Sequence, residues 1–201
     1  MITTNTVYTK NQLDKLGNAI IFLCNKMSVF GPVSKTQVLK LVYILEEFSI
    51  RQWGTPFFGL HFKVWKMGPV SPDLYLEFTE GPSLLSAFIM VQYQDQRTVV
   101  SPAKPFSDDE FSDQELALLE QVAERFKTCT AKELINFTHR TNTSWFLTAK
   151  RHGLIELLEN GQVNTTEIDV DFETILEGEP FKLSQYHAYQ EFLMQSQTLL
   201  S

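Results

Sequence analysis

The stretch from Ser34 to Phe78 constrains the fold most, because a long helix signal is followed at once by strand and turn signals. Ser34 and Gln37 form a capping-box pattern, in which a hydroxyl and an amide satisfy backbone N–H groups at the start of a helix. Apolar residues then recur at intervals of three and four, as on one face of a helix. They are Val38, Leu41, Val42, Leu45 and Phe48. This spacing predicts a helix from about residue 35 to 53, ended by Gly54.

A short strand and a second helix are predicted after this helix. Residues 60–65 alternate between apolar and more polar side chains, which is the period of a half-buried strand. Gly68-Pro69 is predicted to end that strand. Ser71 then precedes Pro72 and Asp73, in the order of an N-cap, a proline at the first helical position and an acid in the first turn. The chain is therefore expected to enter another helix directly after this turn.

Helix patterns outnumber strand patterns in the rest of the chain. Apolar stripes at helical spacing, some of them behind further capping boxes, predict helices over residues 11–30, 112–126, 130–138, 143–150 and 184–200. A hairpin is expected within residues 88–101. Together these signals predict an α+β fold that is compact and predominantly helical, with one or two short hairpins or strands. Winged-helix-like elements are compatible with this order.

The same pattern predicts one domain with an appendage. Residues 1–152 are expected to form the domain, from a helix-strand-helix block at 11–101 and a helical block at 112–152. The segment between the blocks contains two prolines and three acids, so the fold could divide there. Residues 153–201 are expected to form a C-terminal extension packed on the same body, with an amphipathic helix at about 184–200.

Charge is distributed unevenly along the chain. The net charge is −7, but residues 1–70 contain eight basic and three acidic side chains, whereas the remainder is strongly acidic. A basic first third could contact phosphate or an acidic partner, although ordinary solvated faces explain the charges equally well. The N-terminal stretch shows no basic and then apolar leader, and no run approaches the length of a membrane span. We therefore expect a cytoplasmic protein with no membrane contact.

Catalytic patterns are not found in the sequence. It has no phosphate-binding glycine loop, dinucleotide fingerprint, zinc-protease helix or serine-hydrolase elbow. Cys24 and Cys129 lack metal-ligand spacing, and the four histidines are far apart. His139 stands out because it follows a predicted helix end and lies near Trp145. A capping or buried role is favoured for it, with a general base as the alternative. We expect no metal, no cofactor and no enzymatic activity.

Large amphipathic side chains and cations cluster around the predicted strand. Interface hot spots are rich in such residues, because tryptophan and tyrosine cover a large area for few restricted torsions. Aromatic residues at a helix–strand junction are also common in cores, so both interpretations stay open. The candidate partner-binding residues are Arg51, Trp53, Phe57, Phe58, Lys63, Trp65, Lys66, Met67 and Tyr75.

Four short motifs carry a resemblance to a known family. They are Leu41-Val42-Tyr43, Trp53-Gly54-Thr55-Pro56-Phe57, Val64-Trp65-Lys66-Met67-Gly68-Pro69-Val70 and Pro72-Asp73-Leu74-Tyr75. With them the chain resembles the Panacea domain, the antitoxin domain of SocA-like and phage-associated GepA-like proteins, with Val64 where the family pattern commonly has alanine. The resemblance covers about residues 12 to 152, and the last fifty residues have no counterpart. Its motif positions in this chain are Gly54, Pro56, Gly68, Pro69, Val70, Pro72, Glu133, His139 and Trp145.

The resemblance implies a non-enzymatic antitoxin of a toxin–antitoxin system. Such a protein neutralises a cognate protein toxin by direct contact, and SocA-like members act as adaptors that deliver a toxin to a protease, which points to an AAA+ protease as a further partner. The alternative is a winged-helix-like DNA-binding regulator, suggested by the helix–helix–strand order and the basic first third. Against this alternative, the second helix offers only Lys35, Lys40 and Arg51 to DNA.

Overall fold

The computed structural model describes the backbone of residues 8–200 and the side chains of residues 8–195. The N-terminal end of the predicted domain, residues 1–7, and the last side chains of the predicted C-terminal helix lie outside these ranges. The α-helices are α1 (Lys10–Met27), α2 (Lys35–Trp53), α3 (Pro72–Thr79), α4 (Asp113–Phe126), α5 (Ala131–Thr138), α6 (Ser144–Arg151), α7 (Ile155–Glu159) and α8 (Pro180–Leu200). The strands are β1 (Lys63–Trp65), β2 (Gly68–Val70), β3 (Ile89–Gln94) and β4 (Arg97–Pro102).

The predicted fold class is confirmed. The protein is 55% helical, and its described residues form eight α-helices and two short antiparallel strand pairs. β1 pairs with β2, and β3 pairs with β4. The β3–β4 hairpin turns at Asp95 and Gln96, whose φ angles of +48° and +62° match the two-residue turn that suits hairpin twist. This is the hairpin predicted within residues 88–101.

Helix α2 lies at the centre of the molecule. It spans the predicted residues, begins at the Ser34–Gln37 capping box and ends at Gly54, which adopts a left-handed φ of +75°. Twelve of its nineteen residues are buried, which is typical of a helix surrounded by other elements rather than one at a surface. It contacts α1, α3, α4, α5, α8, β2 and β4. The core therefore forms around α2.

The two predicted helical blocks share this core. The segment between them does not divide the fold, because Phe106 and Phe111 pack against the core and α4 contacts both α1 and α2. Charges also join the blocks, since Lys15 forms an ion pair with Glu115, and Lys26 pairs with Glu120 at 2.6 Å.

The strand pattern differs from the prediction at Gly68-Pro69. We expected this dipeptide to end a strand over residues 60–65, but it belongs to β2, which pairs with the shorter strand β1. Val64 lies opposite Pro69 and directs its N–H to the Ile168 carbonyl oxygen on its other side (2.9 Å), so the missing N–H of proline leaves no bond unmade. Proline can therefore occupy this position within the hairpin.

Residues 153–195 pack on the same core. Val170, Phe172, Leu176 and Tyr186 are buried in it, and α8 contacts α2. A Cβ at Gly54 would overlap the Lys182 backbone, so glycine there permits the close approach of α8. The division into a domain at 1–152 and an extension at 153–201 stays a prediction.

Candidate functional site

The β1–β2 hairpin turn is the centre of the candidate site. Its tip is formed by Lys66 and Met67, between the paired residues Trp65 and Gly68. An extended segment, residues 164–170, lies along the outer side of β1, where the Lys66 N–H donates to the Asn164 carbonyl oxygen at 2.8 Å. This segment therefore flanks the hairpin, and the turn is held from that side.

A buried lysine forms a hydrogen bond to the backbone of the turn. Lys40, on α2, is 1% exposed, and its Nζ donates to the Pro69 carbonyl oxygen at 2.8 Å. Burial lowers the pKa of Lys40 to about 7, because the charged ammonium loses its hydration. A Cβ at Gly68, whose φ is +88°, would lie 2.6 Å from Thr138 Oγ1 and 3.2 Å from Lys40 Nζ. Only glycine therefore fits at this position without displacement of its neighbours.

A histidine–tryptophan stack holds the turn from the side of α5 and α6. The His139 and Trp145 rings are 4.1 Å apart at an interplanar angle of 13°, and Trp145 Nε1 donates to the Trp65 carbonyl oxygen at 3.1 Å. His139 caps the C-terminal end of α5, as expected for a structural residue. The three motif regions around residues 40, 65–70 and 138–145 therefore meet at one point.

His139 is uncharged at neutral pH in this environment. Burial, and secondly the charge of Lys40, lower the pKa of His139 to about 4. Its Nε2 atom is buried and has no hydrogen-bond partner among the described residues. A pKa so far below neutrality makes the imidazole a weak proton acceptor, which favours the structural interpretation of His139 over the general-base alternative.

An apolar cavity of about 280 Å³ opens beside the turn. It lies between the tip of the hairpin and helices α5, α6 and α7. Its lining includes Lys66, Met67, His139, Trp145, Ile155 and Leu158. The cavity is large enough for one side chain of a partner, and its volume lies near the lower end of the roughly 300–1,000 Å³ of small-molecule sites.

Aromatic side chains continue the surface on the other side of the turn. The Trp65 and Tyr75 rings meet edge to face, 5.2 Å apart, and Lys35 Nζ lies 4.6 Å from the centre of the Tyr75 ring. Met67 is 56% exposed at the tip. We call the residues Trp65, Lys66, Met67 and Tyr75 the turn surface. It combines a fixed backbone with the exposed Met67 side chain and two half-buried aromatic rings.

The other candidate partner-binding residues lie elsewhere. Phe57 and Phe58 are buried in the core, at 1% and 3% exposure. Trp53 lines a different cavity of about 510 Å³. Arg51 pairs with Glu47 at 2.8 Å, and Lys63 pairs with Asp169 at 3.0 Å.

The remaining motif residues act as supports of the fold. Pro56 and Val70 are buried, and Pro72 is the first residue of α3. Glu133 closes the capping box at the start of α5. Burial in the core, helix initiation and helix capping do not require contact with a partner.

Two buried carboxylates that position this region were not identified from the sequence. Glu46 accepts hydrogen bonds from the backbone N–H groups of residues 58–60, and burial raises its pKa to about 7 in spite of these bonds. Glu47 accepts from Ser144 N at 3.0 Å and Ser144 Oγ at 2.7 Å, at the start of α6. The spacing of Tyr43, Glu47 and Arg51 at intervals of four was a signal that could have indicated the second group.

Within residues 8–200, no helix is long and apolar enough to cross a membrane. The same part of the chain contains no group of three or more His, Cys, Asp or Glu side chains placed to hold a metal ion. A sequence model of the family described as "Antitoxin SocA-like, Panacea domain" matches residues 38–146, and this range contains the turn surface, Lys40, His139 and Trp145. No curated protein and no solved structure matches the chain significantly.

Proposed function

The chain belongs to the SocA-like antitoxin family with a Panacea domain, and from this premise we propose that it neutralises a cognate protein toxin by binding it directly. The observation that carries the proposal is the anchored turn, which exposes Met67 beside the Trp65–Tyr75 pair. Binding through a surface that is already fixed costs less conformational entropy than binding through a mobile loop. The turn surface is thus the proposed toxin contact.

Of the candidate partner-binding residues, we propose only those of the turn surface as toxin contacts. Met67 supplies exposed apolar area, and Trp65 and Tyr75 supply aromatic edges, which are the groups that dominate hot spots. The adjacent cavity of about 280 Å³ gives a partner side chain a place to insert. Phe57 and Phe58 are core residues, so their replacement would act through stability rather than contact.

Co-expression with the product of the adjacent gene tests this proposal. Met67→Asp places a charge at the centre of the turn surface, and we expect it to abolish growth rescue and to weaken binding by at least about tenfold. Met90→Asp is the matched control, because Met90 is 47% exposed on β3, outside the turn surface. Growth and the yield of the co-purified complex are the measurements.

Two results would contradict the proposal. If the wild-type chain neither rescues growth nor forms a complex with the neighbouring gene product, neutralisation of a toxin by direct binding is contradicted. If Met67→Asp and Met90→Asp bind the toxin equally well, the turn surface is not the contact. Circular dichroism of both variants ensures that a loss of folding is not mistaken for a loss of binding.

The DNA-binding alternative has less structural support. Of the three cations that α2 could offer to DNA, Lys40 is buried and Arg51 is paired with Glu47. Lys35 lies over the Tyr75 ring. A recognition helix has to expose several side chains to base edges, and α2 is buried along most of its length.

Delivery of the toxin to an AAA+ protease is a separate step that stays a prediction. The two modes of neutralisation differ in the lifetime of the toxin, because blocking leaves the toxin intact whereas delivery shortens its half-life. Measurement of the toxin's half-life with and without this chain, in cells with and without the protease, separates them. We propose a non-enzymatic and cytoplasmic role in either case.

A further inference from the structure

A groove that is separate from the cavity beside the turn lies next to the tip of the β3–β4 hairpin. It has a volume of about 720 Å³ and runs between the hairpin tip and the first turns of α2 and α5. Three cations line it, Lys35 from α2, Arg97 from β4 and Lys132 from α5, and no carboxylate is among the lining residues. Residues distant in sequence thus form one basic groove.

Exposed aromatic rings accompany these cations. Phe30 is 57% exposed and Tyr93 is 76% exposed, and both line the groove. Tyr93 lies opposite Thr98 in the hairpin, another lining residue, so this side of the hairpin tip faces the groove. Large exposed rings next to cations are typical of surfaces that bind a partner.

Within residues 8–195, the three groove cations have no carboxylate partner, whereas half of the fourteen other lysines and arginines form an ion pair. Lys15, Lys26, Lys63 and Arg151 all form ion pairs with acidic side chains. In the described part of the chain, Lys35, Arg97 and Lys132 form none; Lys35 instead donates to Thr79 Oγ1 at 3.3 Å. In a protein of net charge −7, the groove therefore presents three cations that no carboxylate of the described residues pairs with.

We propose that this groove binds an extended acidic segment of a protein partner that also carries an aromatic side chain. Carboxylates of the segment would pair with the three cations, and its aromatic side chain would pack on Phe30 or Tyr93. Peptide grooves of this kind obtain affinity from a few anchors and specificity from charge. The inference does not rest on toxin neutralisation, but the groove adjoins the turn surface, because Lys35 Nζ lies 4.6 Å from the centre of the Tyr75 ring.

A nucleic acid fits the groove less well than a peptide. Tight phosphate binding commonly uses more cations than the three in this groove. Acidic residues also border it, with Asp95 in the hairpin turn and Glu133 in the first turn of α5. Because these acids limit the positive area to three cations, the groove suits a segment with a few carboxylates better than a continuous phosphate backbone.

The test uses a fluorescein-labelled peptide of about ten residues, rich in Glu and Asp with one Trp, and its Gln/Asn counterpart. Fluorescence anisotropy at low ionic strength measures their binding to the wild type, to Arg97→Glu/Lys132→Glu and to Lys10→Glu/Lys150→Glu. The second double variant is the matched control, because it changes the net charge equally through exposed lysines outside the groove. A short DNA duplex is the competing probe.

We expect the acidic peptide to bind the wild type and the control alike, and the groove variant at least about tenfold more weakly. The binding should also weaken as salt is added. Equal affinity for both double variants, equal binding of the Gln/Asn peptide, or no measurable binding to the wild type would each overturn the proposal. Tighter binding of the duplex than of the peptide, lost only in the groove variant, would overturn it in favour of a nucleic acid.

Discussion

Replacement of Lys40 by methionine tests the buried support of the turn through the pH dependence of stability. Methionine has a similar length and no charge, so Lys40→Met removes one titrating group and keeps most of the packing. In the folded chain the pKa of Lys40 is lowered to about 7 from its ordinary value of 10.5, because burial disfavours the charged form. This difference in pKa between the folded and the unfolded chain makes the free energy of unfolding depend on pH, and Lys40→Met lacks that contribution.

The sign and the size of the effect follow from proton linkage. A lowered folded-state pKa means that protonation favours the unfolded chain, so Lys40 costs stability at and below pH 7, and the cost fades as pH rises toward 10.5. The full cost is about 5 kcal/mol, at about 1.4 kcal/mol for each pH unit between the two pKa values. Between pH 7 and 9, the wild type should gain about 2 kcal/mol relative to Lys40→Met.

Urea unfolding at a series of pH values measures this change. The free energies of unfolding of the wild type, Lys40→Met and the exposed control Lys150→Met are compared from pH 6 to 9. Taking differences between variants cancels the titration of all other groups that the substitutions leave unperturbed. A wild-type minus Lys40→Met difference that stays constant or falls between pH 7 and 9 would refute the lowered pKa. The control should remain parallel to the wild type throughout.

Two further predictions concern the same support. Gly68→Ala should lower the free energy of unfolding by about 2–4 kcal/mol, because the new Cβ meets Thr138 and the backbone is left-handed. The control Gly153→Ala, at φ +65° with open space around it, should lower it by only about 1 kcal/mol. Equal losses for the two variants in urea unfolding would contradict the steric argument. The pKa of His139 is lowered to about 4 from 6.5, so the unfolded chain binds the extra proton first. With a discount for the partial exposure of the ring, the wild type should lose on the order of 1 kcal/mol relative to His139→Phe between pH 7 and 5. A difference between these two proteins that does not change with pH would argue against that shift.

Helix boundaries could be predicted from the sequence because their signals are local. Three capping boxes, at Ser34–Gln37, Ser112–Glu115 and Thr130–Glu133, form as the sequence indicates. The first of them places the start of α2 correctly at Lys35. A cap requires only residues three positions apart, so no knowledge of the tertiary structure is needed to identify it.

The composition of the candidate site depends on contacts that the sequence does not reveal. Alternation around residue 60 shows which residues share a face, but not that residues 164–170 cover the other edge of β1. The aromatic cluster likewise contains core members such as Phe57 and exposed members such as Met67. Core and exposed members differ in where they lie relative to the turn. The geometry of the turn at Gly68 depends on Lys40 and Thr138, which lie far away in sequence.

Charge shows most clearly why a binding surface cannot be derived from segment totals. The basic excess of residues 1–70 suggested a contact for phosphate or an acidic partner, but Lys15 and Lys26 of α1 pair with the acidic helix α4, and Lys63 pairs with Asp169. The excess is therefore partly neutralised within the molecule by acidic side chains of the remainder. Surface potential depends on the charges that remain unpaired after folding, and those of the basic groove come from three segments, two of them in the acidic remainder. A search for partners of this chain should accordingly begin from the unpaired cations and the turn surface rather than from its overall charge.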